Sequence, residues 1–185
     1  MLRIKVVGTN GSGKSYFSAK LSRVLNVPYI EMDAHYWRPD WQTAPSREFV
    51  TNLKTAMRSS SWVMDGNYDH ISGEVMPDVD TLIWLDYSFS RTVSQALRSA
   101  VNNVVTRKEM WAGNRETLKT AFFSKDSRFI STVKTYHQTR RHLSARVTEE
   151  GMKHLNIIRL KHPDEAAAFL SAMQPAKQET VQIVS

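Results

Sequence analysis

A glycine-rich segment of eight residues, Gly8-Thr9-Asn10-Gly11-Ser12-Gly13-Lys14-Ser15, constrains the fold of this chain more than any other feature. It follows the pattern G-x-x-x-x-G-K-[S/T], in which a loop leaves a strand and enters a helix. The context agrees, because the apolar run Ile4–Val7 precedes it and apolar residues recur at helical spacing after Lys14. Glycines permit positive φ angles that turn successive backbone N–H groups toward one anion, and the helix N-terminus adds partial positive charge. The segment predicts a phosphate-binding loop with these residues: Gly8, Asn10, Gly11, Ser12, Gly13, Lys14, Ser15 and Tyr16.

Two side chains of this loop have predicted roles of their own. Lys14 would reach the β- and γ-phosphates of a nucleoside triphosphate, and the Ser15 hydroxyl would bind Mg²⁺. Such loops work together with a carboxylate at the end of a neighbouring strand, and Asp65 follows the apolar run Trp62–Met64. We therefore predict Ser15 and Asp65 as metal ligands, and Lys14 and Asp65 as catalytic residues. An ordinary Asp-Gly turn is the alternative for Asp65.

A second carboxylate, Asp33, closes the predicted strand Val27–Met32. The carboxyl ends of parallel strands meet at one edge of a sheet, so we expect Asp33 near Asp65. Asp33 is a candidate to accept the proton of an attacking hydroxyl or to orient the acceptor, and a loop-capping role is the alternative. A polar, aromatic loop is predicted from residue 33 to residue 44, in which Trp37 and Trp41 either stack on a base or close the core.

Five short apolar strands alternate with amphipathic helices along the chain. Apolar strands of this kind are typical of a parallel sheet covered on both faces, so the predicted fold class is α/β. The length of 185 residues fits one domain, assigned to residues 1–174, with a flexible tail at 175–185. The chain has no cysteine, its longest apolar run has only five residues, and its N-terminus lacks a signal-peptide pattern. These features predict a cytoplasmic protein with no membrane partner.

Positive charge is concentrated in residues 88–147, which we call the basic segment. It holds twelve Lys or Arg and three Asp or Glu, a net charge of +9, against +7 for the whole chain. We predict that it forms a helical lid over phosphate groups, with Arg107 and Arg115 as catalytic candidates. A nucleic-acid backbone is another possible partner of such charge, and a solvated helical face is the plain structural alternative.

Two long helices are predicted within the basic segment, each with an apolar face. The first face consists of Phe89, Val93, Leu97, Val101 and Val104, and the second of Phe129, Val133, Tyr136, Leu143 and Val147. Arg140 falls on the second face, where a charge requires an anion or a carboxylate partner. Asp86, at the end of the fourth strand, is predicted to be structural.

Three further segments resemble a known family. Met32-Asp33-Ala34-His35-Tyr36-Trp37-Arg38-Pro39, Val63-Met64-Asp65-Gly66-Asn67-Tyr68 and Thr106-Arg107-Lys108-Glu109-Met110-Trp111-Ala112-Gly113-Asn114-Arg115-Glu116 are similar to the bacterial and phage proteins called adenylate kinase-like or DNA topology modulation proteins. These belong to the nucleoside and nucleotide kinase-like branch of P-loop proteins. The resemblance implies a P-loop NTPase fold with strand order 2-3-1-4-5, ATP as donor with Mg²⁺, and a small phosphate acceptor. The acceptor would be held by Asp33, Trp37, Arg38, Gly66 and Asn67.

The chain also departs from true adenylate kinases. In those enzymes Phe-Pro-Arg follows the Asp-Gly pair and its arginine grips the acceptor nucleotide, whereas Asn67-Tyr68 stands here. AMP is therefore not the expected acceptor. We expect a kinase that phosphorylates a small nucleoside- or nucleotide-like molecule. A kinase acting on nucleic acid or a modified base, and a non-catalytic nucleotide-binding regulatory module, remain as alternatives.

Overall fold

A computed structural model of the protein describes residues 2–122 and 127–174, except for the side chain of Arg128. Its five strands are β1 (Arg3–Gly8), β2 (Tyr29–Glu31), β3 (Trp62–Asp65), β4 (Thr81–Leu85) and β5 (Asn156–Leu160). They form one parallel sheet in the order β2-β3-β1-β4-β5, which confirms the predicted α/β class and strand order. The predicted tail at 175–185 lies outside the described residues.

Eight α-helices connect and cover the described strands. They are α1 (Lys14–Leu25), α2 (Met32–Tyr36), α3 (Ser46–Ala56), α4 (Ser72–Val75), α5 (Phe89–Val105), α6 (Leu118–Phe122), α7 (Arg128–Arg146) and α8 (Pro163–Ala172). Short 3-10 turns occur at Pro39–Trp41, Asp69–Ile71, Met76–Asp78, Trp111–Gly113 and Glu150–Met152. None of the helices in the described ranges is long and apolar enough to cross a membrane.

The sheet is covered on both faces, since successive side chains of a strand point to opposite sides. On one face, Val6 of β1 and Val63 of β3 pack with Phe17 and Leu21 of α1 and with Ala166 of α8. On the other face, strand residues pack with α3, α4 and α7 through a second cluster that includes Val7, Met64, Phe49, Val75 and Leu143. The helices thus leave the carboxyl ends of the strands as the common edge for the loops.

The region after β2 differs from the prediction. Residues 33–44 were expected to form a loop that begins with Asp33, but Met32–Tyr36 is helical and Asp33 lies in the first turn of α2. The strand is also shorter than the predicted Val27–Met32. A carboxylate is favourable in the first turn of a helix, because it faces the unpaired N–H groups there. Asp33 is therefore held by a helix rather than by a free loop.

The predicted apolar face of α5 is wrong. The helix buries Thr92, Ala96, Ala100 and Asn103, whereas Leu97 is 42 % exposed and Val101 is 46 % exposed. Small residues face inward because α5 packs closely against the glycine-rich loop: a Cβ added to Gly11 would lie 2.8 Å from the Cβ of Ala96. The second predicted face is confirmed at Tyr136 and Leu143, which are buried, while Val133 of α7 is exposed.

Candidate functional site

The glycine-rich loop lies between the end of β1 at Gly8 and the start of α1 at Lys14, as the sequence predicts. Gly11 has φ = 79° and Gly13 has φ = 84°, a left-handed backbone that side chains other than glycine rarely adopt. Gly13 is the N-cap of α1, so the loop delivers its backbone directly to the positive end of a helix dipole. This conformation is suited to binding a phosphate group.

Lys14 turns back over the loop that precedes it. Its Nζ donates to the carbonyl oxygens of Gly8 at 3.0 Å and Thr9 at 3.2 Å. Asn67, in the turn after β3, binds the same region, because its Nδ2 donates to the Gly8 carbonyl at 2.6 Å. The ammonium group is thereby positioned at the mouth of the loop, where a bound phosphate would replace carbonyl oxygens as its partner.

A hydroxyl and a carboxylate meet beside this loop. Ser15 Oγ donates to Asp65 Oδ2 at 2.7 Å, and the Tyr29 hydroxyl donates to Asp65 Oδ1 at 3.1 Å. Asp65 is only 3 % exposed, and this burial raises its pKa, although hydrogen bonds from Ser15 and Tyr29 and the charge of Lys14 act in the opposite direction. A cation beside Asp65 would favour the ionised form that burial disfavours.

The pair Ser15 and Asp65 fits a magnesium ion. Both supply oxygen, which Mg²⁺ prefers, and Mg²⁺ sites use one or two carboxylates with water and substrate phosphates as the remaining ligands. Within residues 2–122 and 127–174 there is no group of three or more His, Asp or Glu side chains that could hold a metal by themselves. A phosphate-dependent magnesium site does not require such a group.

The predicted acceptor residues are brought together only in part. Asp33 accepts a hydrogen bond from the Tyr68 hydroxyl, which joins α2 to the turn after β3. Arg38 instead pairs with Glu48 of α3 on the surface, and Asn67 binds the glycine-rich loop. Asp33 thus differs from Arg38 and Asn67. Its described hydrogen-bond partner is a tyrosine hydroxyl, whereas Arg38 pairs with a carboxylate and Asn67 bonds the backbone.

Trp37 belongs to an aromatic cluster that links two loops. Its ring packs edge-to-face on Trp41, with 5.5 Å between ring centroids, and Trp41 packs on Trp111 at 6.5 Å. Asn114 joins the same loops by hydrogen bonds: its Oδ1 accepts from the Trp41 N–H at 3.0 Å, and its Nδ2 donates to the Arg38 carbonyl at 2.8 Å. We call this contact between residues 37–43 and 109–115 the loop clasp. The tryptophans therefore close the two loops against each other.

The basic segment is tied to the sheet by paired charges. Arg140 of α7 donates to Asp86 through Nε at 2.6 Å and Nη2 at 3.1 Å, and Arg159 of β5 donates to the same carboxylate through Nε at 2.9 Å. Burial alone would raise the pKa of Asp86, but the hydrogen bonds from the two arginines outweigh it and hold the pKa below its usual range. The predicted partner of Arg140 is therefore a carboxylate, and Asp86 has the structural role expected of it.

The two predicted catalytic arginines are exposed in the loop after α5. Arg115 pairs with Glu109 at 3.4 Å across the base of the loop, and Arg107 has φ = 49° just beyond the helix end. The glycine-rich loop meets the segment elsewhere, since Asn10 Nδ2 lies 3.5 Å from Ser131 Oγ of α7. The described contacts of Arg107 and Arg115 therefore give no evidence that either arginine binds phosphate. These contacts also include no residue of the sheet.

A cavity of about 520 Å³ adjoins the glycine-rich loop on the side of α8. Ser12, Gly13 and Tyr16 line it together with Gln95 of α5 and Pro163 of α8. Tyr16 is exposed and its ring lies 4.5 Å beneath Lys20 Nζ. The cavity is large enough for the nucleoside part of a nucleotide whose phosphates lie on the loop.

The sequence predicts no role for three residues that make contacts in this region: Tyr29, Tyr68 and Asn114. Tyr68 directly follows the Asp65-Gly66-Asn67 turn, so its proximity to the edge could have been inferred. Tyr29 and Asn114 make contacts with residues that are distant in sequence, and no motif around either residue predicts those contacts. No family model matches the chain, and no curated protein matches it either.

Proposed function

We propose that the protein is a P-loop phosphotransferase that uses ATP and Mg²⁺ to phosphorylate a small acceptor. The observation that carries the proposal is the 2.7 Å contact between Ser15 and Asp65 beside a glycine-rich loop at a helix N-terminus. The glycine-rich loop, Lys14 and the Ser15–Asp65 pair lie together where β1 and β3 end, and phosphoryl transfer would use them as a phosphate cradle, a cation and metal ligands. The bound metal would neutralise charge on the transferred phosphoryl group.

The proposed reaction breaks the bond in ATP between the γ-phosphorus and the oxygen that bridges it to the β-phosphate, and that oxygen leaves with ADP. A new bond forms from the γ-phosphorus to an acceptor hydroxyl oxygen. Lys14 and the loop N–H groups would hold the phosphates, and Ser15 and Asp65 would hold the metal. The acceptor's proton passes to Asp33, whose carboxylate is oriented by the Tyr68 hydroxyl. The products are ADP, the phosphorylated acceptor and a proton released later from Asp33.

The acceptor we propose is nucleoside- or nucleotide-like, in line with the family resemblance. A nucleic acid is the second candidate, favoured by the charge of +9 in the basic segment. The pairing of Arg140 with Asp86 and of Arg146 with Asp69 reduces the charge available for a nucleic-acid backbone. A steep fall of acceptor affinity with salt would favour nucleic acid, and a weak salt dependence would favour a small molecule.

The experiment is Mg²⁺-dependent transfer of labelled γ-phosphate from ATP into a panel of nucleosides, nucleotides, sugars and short DNA. Lys14→Ala should abolish the transfer, because Lys14 is the cation at the mouth of the loop. Lys54→Ala is the matched control, since Lys54 lies exposed on α3 and pairs with Glu74. Nucleotide binding without transfer to any acceptor would favour the regulatory module, and absence of ATP binding would refute the phosphate-loop assignment.

A further inference from the structure

Lys5 is a charged residue in the middle of an apolar sheet. It lies in β1, the central strand, with Met64 of β3 and Leu82 of β4 as its direct neighbours. It is only 7 % exposed. Strands in this position are normally apolar throughout, because helices cover both faces of a parallel sheet. A buried ammonium group costs folding free energy unless an anion or several hydrogen-bond acceptors compensate it.

The partners of Lys5 among the described residues do not supply that compensation. Its Nζ lies 3.3 Å from Met32 Sδ and 4.0 Å from Met64 Sδ, and thioether sulfur is a weak acceptor. The two carboxylates whose charge acts on Lys5 have other hydrogen-bond partners: Asp65 accepts from Ser15 and Tyr29, and Asp69 pairs with Arg146.

Burial lowers the pKa of Lys5 to about 8, and the negative charge of Asp65 opposes this effect. At neutral pH the Lys5 amine is therefore mainly in its ammonium form, and none of the described residues places a carboxylate at hydrogen-bond distance from it.

A cavity of about 40 Å³ lies against Lys5. Its other walls include the turn after β3 with Gly66 and Asn67, the polar side chains of Asp69, Ser72 and Arg146, and apolar side chains from β1, β4 and α7. Asp69 is paired with Arg146, so its charge is offset within the wall. One water needs about 10–15 Å³ of such volume, so the cavity holds about three waters or one small oxyanion. Arg146 binds Asp69 and Ser72 through its two terminal nitrogens and retains further N–H donors on the guanidinium group.

We propose that this cavity, which we call the Lys5 cavity, is a binding site for a small oxyanion: a carboxylate or phosphate group held by Lys5. The ligand supplies the charge and the oxygen acceptors that Met32 and Met64 do not. The ligand also contacts the turn after β3, in which Asn67 donates a hydrogen bond to the Gly8 carbonyl. Binding of the ligand therefore affects the glycine-rich loop. The oxyanion is either a free ion or a group carried by the phosphate acceptor, and only the second source rests on the proposed kinase function.

The test measures anion-dependent stability in the full chain. The Lys14→Ala variant is used as the background, so that the glycine-rich loop contributes little anion binding of its own. In this background we expect acetate or phosphate to raise the Tm by about 2–4 °C over chloride at equal ionic strength. Adding Lys5→Met, which suits the methionine-rich surroundings, should remove the rise. No rise in the Lys14→Ala protein, or an equal rise in both proteins, would overturn the proposal.

A second measurement needs no substitution at the site. In protein labelled with ¹³C at the lysine Cε, the Lys5 resonance should titrate near pH 8, and a bound oxyanion should raise that apparent pKa, because it favours the ammonium form. A pKa that the anion does not change would contradict the proposal even if Lys5→Met failed to fold.

The two sources of the oxyanion, a free ion and a group of the phosphate acceptor, are distinguished by a competition experiment. It uses the acceptor that the transfer assay identifies. Competition between acetate or phosphate and that acceptor, seen as a raised acceptor KM, assigns the site to the acceptor. Stabilisation without such competition assigns it to a free ion. The stability assay contains no ATP, so a failure of the kinase proposal leaves its result interpretable.

Discussion

The glycine-rich loop and the basic segment lie next to each other but are held in place by different interactions. The loop depends on a left-handed glycine backbone and on neutral and charged hydrogen bonds at the ends of β1 and β3. The basic segment is held by ion pairs between side chains, such as Arg140 with Asp86, and by the loop clasp. The comparison separates residues whose loss should affect chemistry from residues whose loss should affect the placement of a helix.

The largest effect is expected at Asp65. Asp65→Asn keeps the size of the side chain and can still bond Ser15 and Tyr29, but it removes the charge that would hold Mg²⁺. We expect transfer to fall by about 10²–10³-fold, with nucleotide binding retained in the absence of metal. Steady-state transfer rates over a range of Mg²⁺ and pH would check this. Burial raises the pKa of Asp65 in the metal-free protein, and a bound cation opposes this, so the acid limb of the wild-type pH profile should move to lower pH as the Mg²⁺ concentration is raised.

Asp164→Asn is the matched control for this substitution, because Asp164 is an exposed carboxylate at the start of α8. Transfer at the wild-type rate by Asp65→Asn would identify Asp65 as a turn-forming residue. In that case the contacts of the glycine-rich loop would be structural, like those of the basic segment, and the proposed difference between the two regions would be wrong.

The next effect is on stability and is expected at Asp86. Asp86→Asn removes the charge shared by Arg140 and Arg159, whose side chains are 46 % and 40 % exposed, so solvent screens part of the loss. We expect a decrease of about 1–3 kcal/mol in the free energy of unfolding at neutral pH, measured by denaturant titration. ATP binding should persist, because the glycine-rich loop does not depend on this pair.

The pH dependence of this contribution follows from the lowered pKa of Asp86. The group binds protons more weakly in the folded state than in the unfolded state, so its stabilisation is present above the ordinary aspartate pKa of about 4 and is lost as the pH falls below it. The stability difference between wild type and Asp86→Asn should therefore shrink toward pH 3. A difference that stays constant down to that pH would contradict the assignment.

The loop clasp gives a smaller, more local effect. Asn114 is only 7 % exposed and makes hydrogen bonds to two partners in the other loop, so Asn114→Ala leaves the Trp41 N–H and the Arg38 carbonyl unpaired. We expect a loss of about 1–2 kcal/mol and faster hydrogen exchange of the Trp41 amide, although that residue is unchanged. Asn102→Ala, at an exposed position of α5, serves as the control. Unchanged exchange at Trp41 would show that the two loops are held independently.

The sequence predicted what depends on local pattern. The position of the loop from Gly8 to Ser15 between a strand and a helix and the α/β class follow from short motifs and strand composition, and the structure confirms both. The assignment of Ser15 and Asp65 as metal ligands stays a prediction, and their side chains lie 2.7 Å apart. The strand order came from the family resemblance. By contrast, the buried face of α5 depends on the close approach of Gly11, and the clasp depends on a partner about 75 residues away in sequence. The apolar periodicity of a helix predicts neither the buried face of α5 nor the loop clasp, because it carries no information about which residues pack against the helix.

The smallest effect tests that lesson within a single helix. Leu97 and Ala96 are adjacent in α5, yet Leu97 is exposed and Ala96 is buried against the glycine-rich loop. Leu97→Ala should change the free energy of unfolding by no more than about 0.5 kcal/mol, as is usual for surface positions, and should leave ATP binding intact. Ala96→Leu should cost about 1–3 kcal/mol through overpacking and weaken ATP binding, because the added atoms press on Gly11. If Leu97→Ala were the more destabilising of the two, α5 would be packed by its apolar stripe after all, and the close contact between helix and loop would have to be abandoned.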